Sequence, residues 1–422
     1  IARCEVIKAH SPLDSFTAVL YEPPEHEVAD IIRIFDQRFI EKHQPNSYQL
    51  RVLRALLSCR TPALGGHIHR CDKCGFENIS YNSCRNRHCP KCQNTRQAFW
   101  VEDRMLSAYP VRHYHIVFTL PEVLNELCML DSKWFYNHMF SSVWEVIYSF
   151  GYNHFAVESG AICILHTWGQ NLSLHPHIHC IVPAVGHTFN GRFKNIGKGG
   201  KYLFPVVQLS LKFRGLFMAG LKSRLSEKKQ PGVSVSDKTG MEQTVGRLHE
   251  PSLGNAQHVV GYLGQYTHRV AITNHRLVSI DNEHVKFTLK DYRDHGQQKT
   301  TTLTGVEFLR RFCMHILPQG FVKIRYFGIY SSRFRSTLLK DRIIVRLSPK
   351  ETVAERINRL LGFDISRCPR CKLGKLVPVG IIPRSRSPTI SVPFVADFTF
   401  FLFAATDRHA IELLFIRKIT LF

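Results

Sequence analysis

Residues 174–183, LHPHIHCIVP, decide how the rest of this chain is read. Side chains on a strand alternate between faces, so His177 and His179 point one way and Ile178 the other. Ile178, Ile181 and Val182 mark a buried strand. Two imidazoles together on its face would be poorly solvated unless they shared a ligand, so the pair is read as a grip on one divalent metal. Spacing alone does not decide this: the chain has 23 His, and H-x-H occurs at 67/69, 113/115, 175/177 and 177/179. The apolar strand decides it. His113 and His115 sit on another apolar run (HYHIVFTL), either as buried hydrogen-bonded histidines or as neighbours of the metal strand.

Working outward, residues 161–169 read as a second strand, joined to the histidine strand through 170–174. Residues 113–120 form a further strand stopped by Pro121, and 122–152 follow as one or two helices. A Gly/Lys-rich loop over 190–202 leads to a basic amphipathic helix over 209–225. Residues 255–272 read as a helix with Asn255 as N-cap, and 277–280 with 285–289 as a hairpin. Residues 26–59 carry two helical runs of apolar residues broken at Pro45. This order predicts an α+β fold, a central antiparallel sheet flanked by helices, preceded by a helical segment and a zinc-binding ribbon.

The helix over 255–272 carries Tyr262 and Tyr266, four apart and therefore on one face. The same spacing at 148/152 and 326/330 lies in aromatic surroundings that read as packing. Only 262/266 is followed by residues able to hold a phosphate, among them Arg269 and Arg276. Gln265 and Arg269 fall within roughly 60° of Tyr262 around a helix. Gln265 is thus a candidate third metal ligand, and Arg269 and Arg276 are candidate DNA contacts. His268 points away from that face. A metal that polarises a phosphate beside two phenol nucleophiles is chemistry for breaking and rejoining DNA strands.

Cys71-x-x-Cys74 and Cys89-x-x-Cys92 read as two knuckles closing one tetrahedral zinc site, with Cys84, His88, His67 and His69 as spare ligands for a Cys₃His site or a second metal. Cys368-x-x-Cys371 is half a site: either it completes a second zinc with distant ligands or it is a turn with two free thiols. Arg70, Lys73, Arg85, Arg87, Lys91 and Arg96 make the ribbon a candidate DNA contact, against the alternative of a solvated face.

Composition sets the frame. The 422 residues leave room for two or three domains, and 44% apolar with 11% aromatic residues exclude a disordered chain. A net charge of +23 is the footprint of a nucleic-acid binder. The 13 Cys, several in C-x-x-C pairs, indicate metal thiolates in a reducing compartment rather than a disulfide framework. Residues 1–21 have no continuous apolar core, so no signal peptide is expected, and 392–405 is too short and too polar at Asp397 to span a bilayer. A soluble, cytoplasmic protein without a membrane partner is expected.

Four blocks in order, CRTPALGGHIHRCDKCG…SYNSCRNRHCPKCQ, HYHIVFTLP, HTWGQNLSLHPHIHCIVP and YLGQYTHRVAITNHRL, resemble the HUH-type, two-tyrosine rolling-circle transposases of bacterial insertion sequences. The resemblance runs over about residues 60–346 and implies a zinc-binding domain at 60–104 and an HUH nuclease domain at 105–346, leaving 1–59 as a helical segment and 347–422 as a C-terminal region with the C-x-x-C half-site and an atypical apolar tail. It implies His177 and His179 as ligands of Mg²⁺ or Mn²⁺, structural Zn²⁺, and Tyr262 and Tyr266 as nucleophiles. The expected activity is cleavage and rejoining of single-stranded DNA at element ends and target DNA through a 5′-phosphotyrosine, in the bacterial cytoplasm and on the nucleoid when acting. The alternatives are a zinc-dependent DNA-binding regulator or an inactivated copy that does not cleave, and a metal-dependent hydrolytic nuclease.

Overall fold

The computed structural model describes residues 24–197, 203–227, 270–291, 294, 296–334, 351–362 and 364–385. Two helices open it, α1 (Val28–His43) and α2 (Ser47–Leu57), with the break at Pro45 where the sequence places it. Asn46 caps α2, its side chain accepting from the Gln49 N–H at 2.9 Å while the Gln49 side chain accepts from the Asn46 N–H at 3.0 Å. Strands β1 (Gly66–Cys71) and β2 (Glu77–Tyr81) lead to α3 (Pro90–Leu106), which Pro90 opens at a position where its missing N–H costs nothing. Then come β3 (His113–Thr119), the short α4 (Asn125–Leu130) and the long α5 (Ser132–Phe155).

β4 (Val157–Glu158), β5 (Gly160–Trp168), β6 (Leu174–Pro183), β7 (Val185–Thr188) and β8 (Phe193–Asn195) precede α6 (Val206–Glu227). The predicted hairpin is present as β9 (Leu277–Ile280) and β10 (His284–Asp291), and a third strand, β11 (Gln297–Thr304), extends it. The extra strand is rich in Thr and Gln and mostly exposed, so it gives no apolar alternation to read. Helix α7 (Gly305–Met314), β12 (Ile324–Gly328), α8 (Val353–Leu361) and β13 (Leu376–Ile382) complete the described chain.

The central sheet runs β12-β5-β6-β3, every neighbouring pair antiparallel, with β6 in the interior. One face, with Ile116, Phe118, Cys163, Leu165, Ile178 and Cys180, is buried under α5 and α6 in the largest core, where Phe140, Phe213 and Phe217 are fully enclosed. Gly328 ends β12 at φ +54°, and a Cβ there would fall 1.8 Å from the Ser159 carbonyl oxygen, so only glycine lets β12 close onto β5. The opposite face carries the histidines. Its apolar half, Ile162 and Ile181, is covered by Trp100, Val101 and Met105 of α3.

A second core joins α1 and α2 to β9, β10 and α7, with Phe35, Phe39, Phe287, Phe308 and Phe312 at its centre. The segment expected as a separate N-terminal piece therefore shares a core with residues placed in the nuclease domain. Likewise β13 pairs with β1, so the C-terminal region joins the sheet β13-β1-β2 of the zinc module. Among the described residues, no helix is long and apolar enough to cross a membrane.

Candidate metal centre and nucleic-acid interface

His177 and His179 lie on the same face of β6, with Ile178 fully buried on the other, as the alternation requires. A third imidazole joins them. His166 of β5 is the cross-strand partner of His177, and the ligand nitrogens of His166, His177 and His179 all lie within 4.8 Å of one another. The ring centroids of His166 are 5.2 Å from His177 and 4.7 Å from His179. Gln265, the candidate third ligand from sequence, lies outside the described residues, as do Tyr262, Tyr266 and Arg269. The signal for His166 was the second strand: pairing β5 with β6 in register puts it opposite His177.

Each strand histidine is oriented from behind. His177 Nδ1 lies 2.7 Å from the His175 carbonyl oxygen and His179 Nδ1 lies 2.8 Å from His115 Nε2. Ligation therefore falls to Nε2 of both residues, the usual arrangement in which the second ring nitrogen fixes the tautomer. Burial pushes His177 down to about 4, the bond to the His175 carbonyl offsetting only part of that, so it is neutral at pH 7 and keeps a lone pair for a cation. Three converging imidazoles, His166 and His179 among the buried polar residues, are a donor set that fits a divalent metal ion.

His113 is different. Its Nδ1 lies 2.9 Å from the Val111 carbonyl oxygen and its Nε2 2.7 Å from the Tyr330 hydroxyl, a satisfied core histidine. The tyrosine pairs at 148/152 and 326/330 are packing: Tyr148 and Tyr152 stack along α5, Tyr326 accepts from the Trp100 indole at 3.1 Å, and Tyr330 meets Tyr109 edge to face.

The cysteines correct the sequence reading. Cys71, Cys74, Cys89 and Cys92 do not form one site. Cys89 and Cys92 join Cys59 and Cys84, while Cys71 and Cys74 face Cys368 and Cys371. The reason is the chain path: β1 and β2 carry the first knuckle to one end of the module, and α3 holds the second against the end of α2, where Cys59 emerges. In that tetrad Cys92 Sγ lies 3.5 Å from Cys59 Sγ and 3.7 Å from Cys84 Sγ. Cys59 went unrecognised because it stands alone, 12 residues before the first knuckle. Neither His67, His69 nor His88 belongs to a described ligand cluster.

Several expected DNA contacts are occupied internally. The Arg276 guanidinium donates to the carbonyls of Thr288 and Gln170 and lies over the Phe287 ring, bracing the β9–β10 hairpin against the β5–β6 connection. Arg87 donates to the carbonyls of Leu317, Pro318 and Phe321, Lys91 pairs with Glu27 at 2.6 Å, and Arg70 pairs with Glu77.

A cavity of about 260 Å³ opens beside the histidine face, lined by Arg87, His88, Arg96, Trp168, His315 and Lys323 among others. Trp168 connects the two, stacking on His166 at 5.0 Å and carrying Lys323 Nζ 4.9 Å above its ring. Burial, with Arg87 adding to it, brings Lys323 down to about 7; burial, then Arg87, pushes His88 down to about 3. A recess lined by Arg87, Arg96 and Lys323 offers cationic groups that suit a phosphate.

Residues 31–120 match the model of a transposase zinc-binding domain, and residues 160–337 match that of a putative transposase. A putative transposase of Sinorhizobium fredii (strain NBRC 101917 / NGR234), y4qJ, is 36% identical over 386 residues, covering 86% of this chain and 97% of that protein. The chain belongs to the insertion-sequence transposases that carry a zinc-binding domain. The transposase for insertion sequence element IS801 of Pseudomonas savastanoi pv. phaseolicola is 28% identical over 347 residues, 76% of this chain and 82% of that protein. No solved structure matches the chain. A transposase acts on DNA, and the histidine-bearing interior strand, the thiolate tetrads and the charge of +23 accord with that.

Proposed function

We propose that this transposase cleaves and rejoins single-stranded DNA at insertion-sequence ends and at target DNA through a 5′-phosphotyrosine, supporting rolling-circle transposition. The convergence of His166, His177 and His179 on one face of an interior strand carries the reading. These three imidazoles would hold Mg²⁺ or Mn²⁺, which when bound supplies Lewis-acid polarisation at a non-bridging phosphate oxygen.

The chain's own groups do the rest. Tyr262 or Tyr266 attacks phosphorus: the phenol gives up its proton, its oxygen bonds to phosphorus, and the bond to the 3′ oxygen breaks, leaving a free 3′-OH. Energy is conserved in the phosphotyrosine, so rejoining is the same step reversed and needs no nucleotide cofactor. The second tyrosine allows another cleavage while the first strand end is still attached. Arg96 and Lys323, the latter over the Trp168 ring, line a recess next to the histidines in which an unpaired strand is held by charge.

The test incubates purified protein with Mn²⁺ and labelled single-stranded DNA bearing the element's ends, then separates products under denaturing conditions. A slow-migrating covalent adduct is expected with the wild type, and none with Tyr262→Phe/Tyr266→Phe. Cleavage without an adduct means hydrolysis, and binding without cleavage means a regulator or inactivated copy; either result ends the proposal.

A further inference from the structure

Outside the region matched by the zinc-binding model, Cys368 and Cys371 approach the first knuckle of the N-terminal module. We infer that Cys71, Cys74, Cys368 and Cys371 hold a second zinc ion, separate from that at Cys59, Cys84, Cys89 and Cys92, and that it clasps the 364–385 segment to the N-terminal sheet.

The sulfur spacing is that of a metal thiolate. Cys71 Sγ lies 3.7 Å from Cys371 Sγ and Cys74 Sγ lies 3.7 Å from Cys368 Sγ, and all four sulfurs fall within 4.8 Å of one another. Four thiolates at about 2.3 Å from a tetrahedral zinc stand about 3.8 Å apart. A disulfide would need about 2.05 Å.

The two C-x-x-C turns are also built alike, although they belong to distant parts of the chain. Behind each pair the next residue takes a left-handed conformation, Gly75 at φ +69° and Lys372 at φ +57°. That residue's N–H closes each turn, Gly75 onto the Cys71 carbonyl at 3.1 Å and Lys372 onto the Cys368 carbonyl at 3.0 Å. Backbone N–H groups point at the sulfurs: Lys73 N lies 3.4 Å from Cys71 Sγ, and Gly374 N lies 3.4 Å from Cys371 Sγ. Such donors favour the thiolate over the thiol. The knuckles are then stitched together, Asp72 N donating to the Lys375 carbonyl at 3.1 Å and Lys375 N to Asp72 Oδ1 at 2.8 Å. At Gly374 a Cβ would stand 2.4 Å from Cys71 Sγ, so the second knuckle approaches the first as closely as a chain without a side chain allows.

The sheet around the site explains why a metal is needed. Ile79, Val377, Val379 and Ile381 are all exposed, and no residue of β1, β2 or β13 belongs to a described hydrophobic cluster. Three strands without an apolar face have little to hold them, and a zinc tetrad supplies what a core would.

The test measures zinc in the full-length protein, purified without chelator, by atomic emission, with hydrogen exchange read on the same samples. Cys368→Ser/Cys371→Ser should hold one zinc fewer per chain than the wild type, and Cys84→Ser/Cys92→Ser should lose a different one, the four changes together removing both. In the first variant the amides of β1 and β13 should lose protection while those of β5 and β6 keep theirs. Unchanged zinc in Cys368→Ser/Cys371→Ser overturns the inference, and so does a wild type with these four thiols oxidised to disulfides. If that variant does not fold, Cys371→His decides. Retained zinc with an altered cobalt-substituted spectrum supports the site, and an unaltered spectrum overturns it. None of these readouts depends on strand cleavage, so they stand or fall apart from the proposed activity.

Discussion

Replacing His115 by Phe tests whether the histidine face is organised as a metal centre. His115 is not in the ligand cluster; it is a positioning residue, its Nε2 2.8 Å from His179 Nδ1 with the rings stacked at 9°. Phenylalanine keeps a ring of similar size but removes the acceptor that fixes the His179 tautomer. A buried donor deprived of its partner costs about 1–3 kcal/mol, and each 1.4 kcal/mol is about tenfold in affinity. The expected loss is therefore about 10- to 100-fold in metal affinity, the range found when partners behind metal ligands are removed. Mn²⁺ suits the assay, because this ion prefers nitrogen and oxygen donors to the thiolate tetrads, and free Mn²⁺ can be followed by electron paramagnetic resonance during titration. His113→Phe is the control. It removes the bonds to Val111 and Tyr330, on the same strand and equally buried, and should lower the thermal midpoint while leaving Mn²⁺ affinity within about twofold. Unchanged affinity in His115→Phe, or an equal loss in both variants, would refute the reasoning.

Further outcomes follow from the cavity, the brace and the buried histidines. Lys323→Met should reduce the salt dependence of single-stranded DNA binding by about one unit of slope, whereas Arg276→Ala should leave that slope unchanged and lower stability by about 1–3 kcal/mol; equal slopes in both variants would refute the placement of Lys323. Because Lys323 titrates near 7, wild-type affinity should rise as pH falls through 7, and this rise should be flattened in Lys323→Met when both are measured at constant ionic strength. Burial pushes both His113 and His315 from 6.5 to about 4, so each favours the folded state above 6.5 and loses that contribution as pH falls towards 4. By pH 5 each should have cost about 2 kcal/mol, visible as a lower unfolding midpoint at pH 5 than at pH 7, and equal midpoints would contradict it.

The histidine strand was legible because period-two alternation and burial are local properties: HIHCIV fixes which side each residue faces without knowledge of any neighbour. What alternation cannot supply is register. His166 becomes a ligand only once β5 pairs with β6 so that it stands opposite His177, and nothing local distinguishes it from His187, which lies on β7 outside the cluster. The cysteines failed for the same reason in a stronger form. Two C-x-x-C turns close in sequence invite pairing with each other, but β1 and β2 separate them, and each finds its partners through chain topology. At Arg276 and Arg87 charge alone does not disclose the bracing role, because a guanidinium can satisfy several backbone carbonyls and sequence does not reveal which are within reach. The helix expected over 255–272 lies mostly outside the described residues. Its last stretch, 270–272, is not helical, and Ala271 and Ile272 are buried in the second core.

Helix α3 makes one mechanical unit of these parts. Its N-terminus is set by the first tetrad, with Cys89 as the residue before Pro90 and Cys92 in the opening turn. Further along, Trp100, Val101 and Met105 lie over Ile162 and Ile181 on the face that carries the histidines. On another side Glu102 and Asp103 take Arg356 of α8, at 2.7 and 2.8 Å, and Glu102 also takes Arg359. Exposed ion pairs are individually weak, but Glu102 is largely shielded and shared by two guanidinium groups, which favours a fixed geometry. A rigid helix transmits displacement along its length, so loosening the Cys59 tetrad should be felt at the apolar half of the histidine face before it is felt in the main core under α5 and α6. The zinc module is then a wall of the histidine face as well as a candidate DNA contact. Metal loss at the first tetrad should weaken Mn²⁺ binding at His166, His177 and His179 even though no cysteine approaches them.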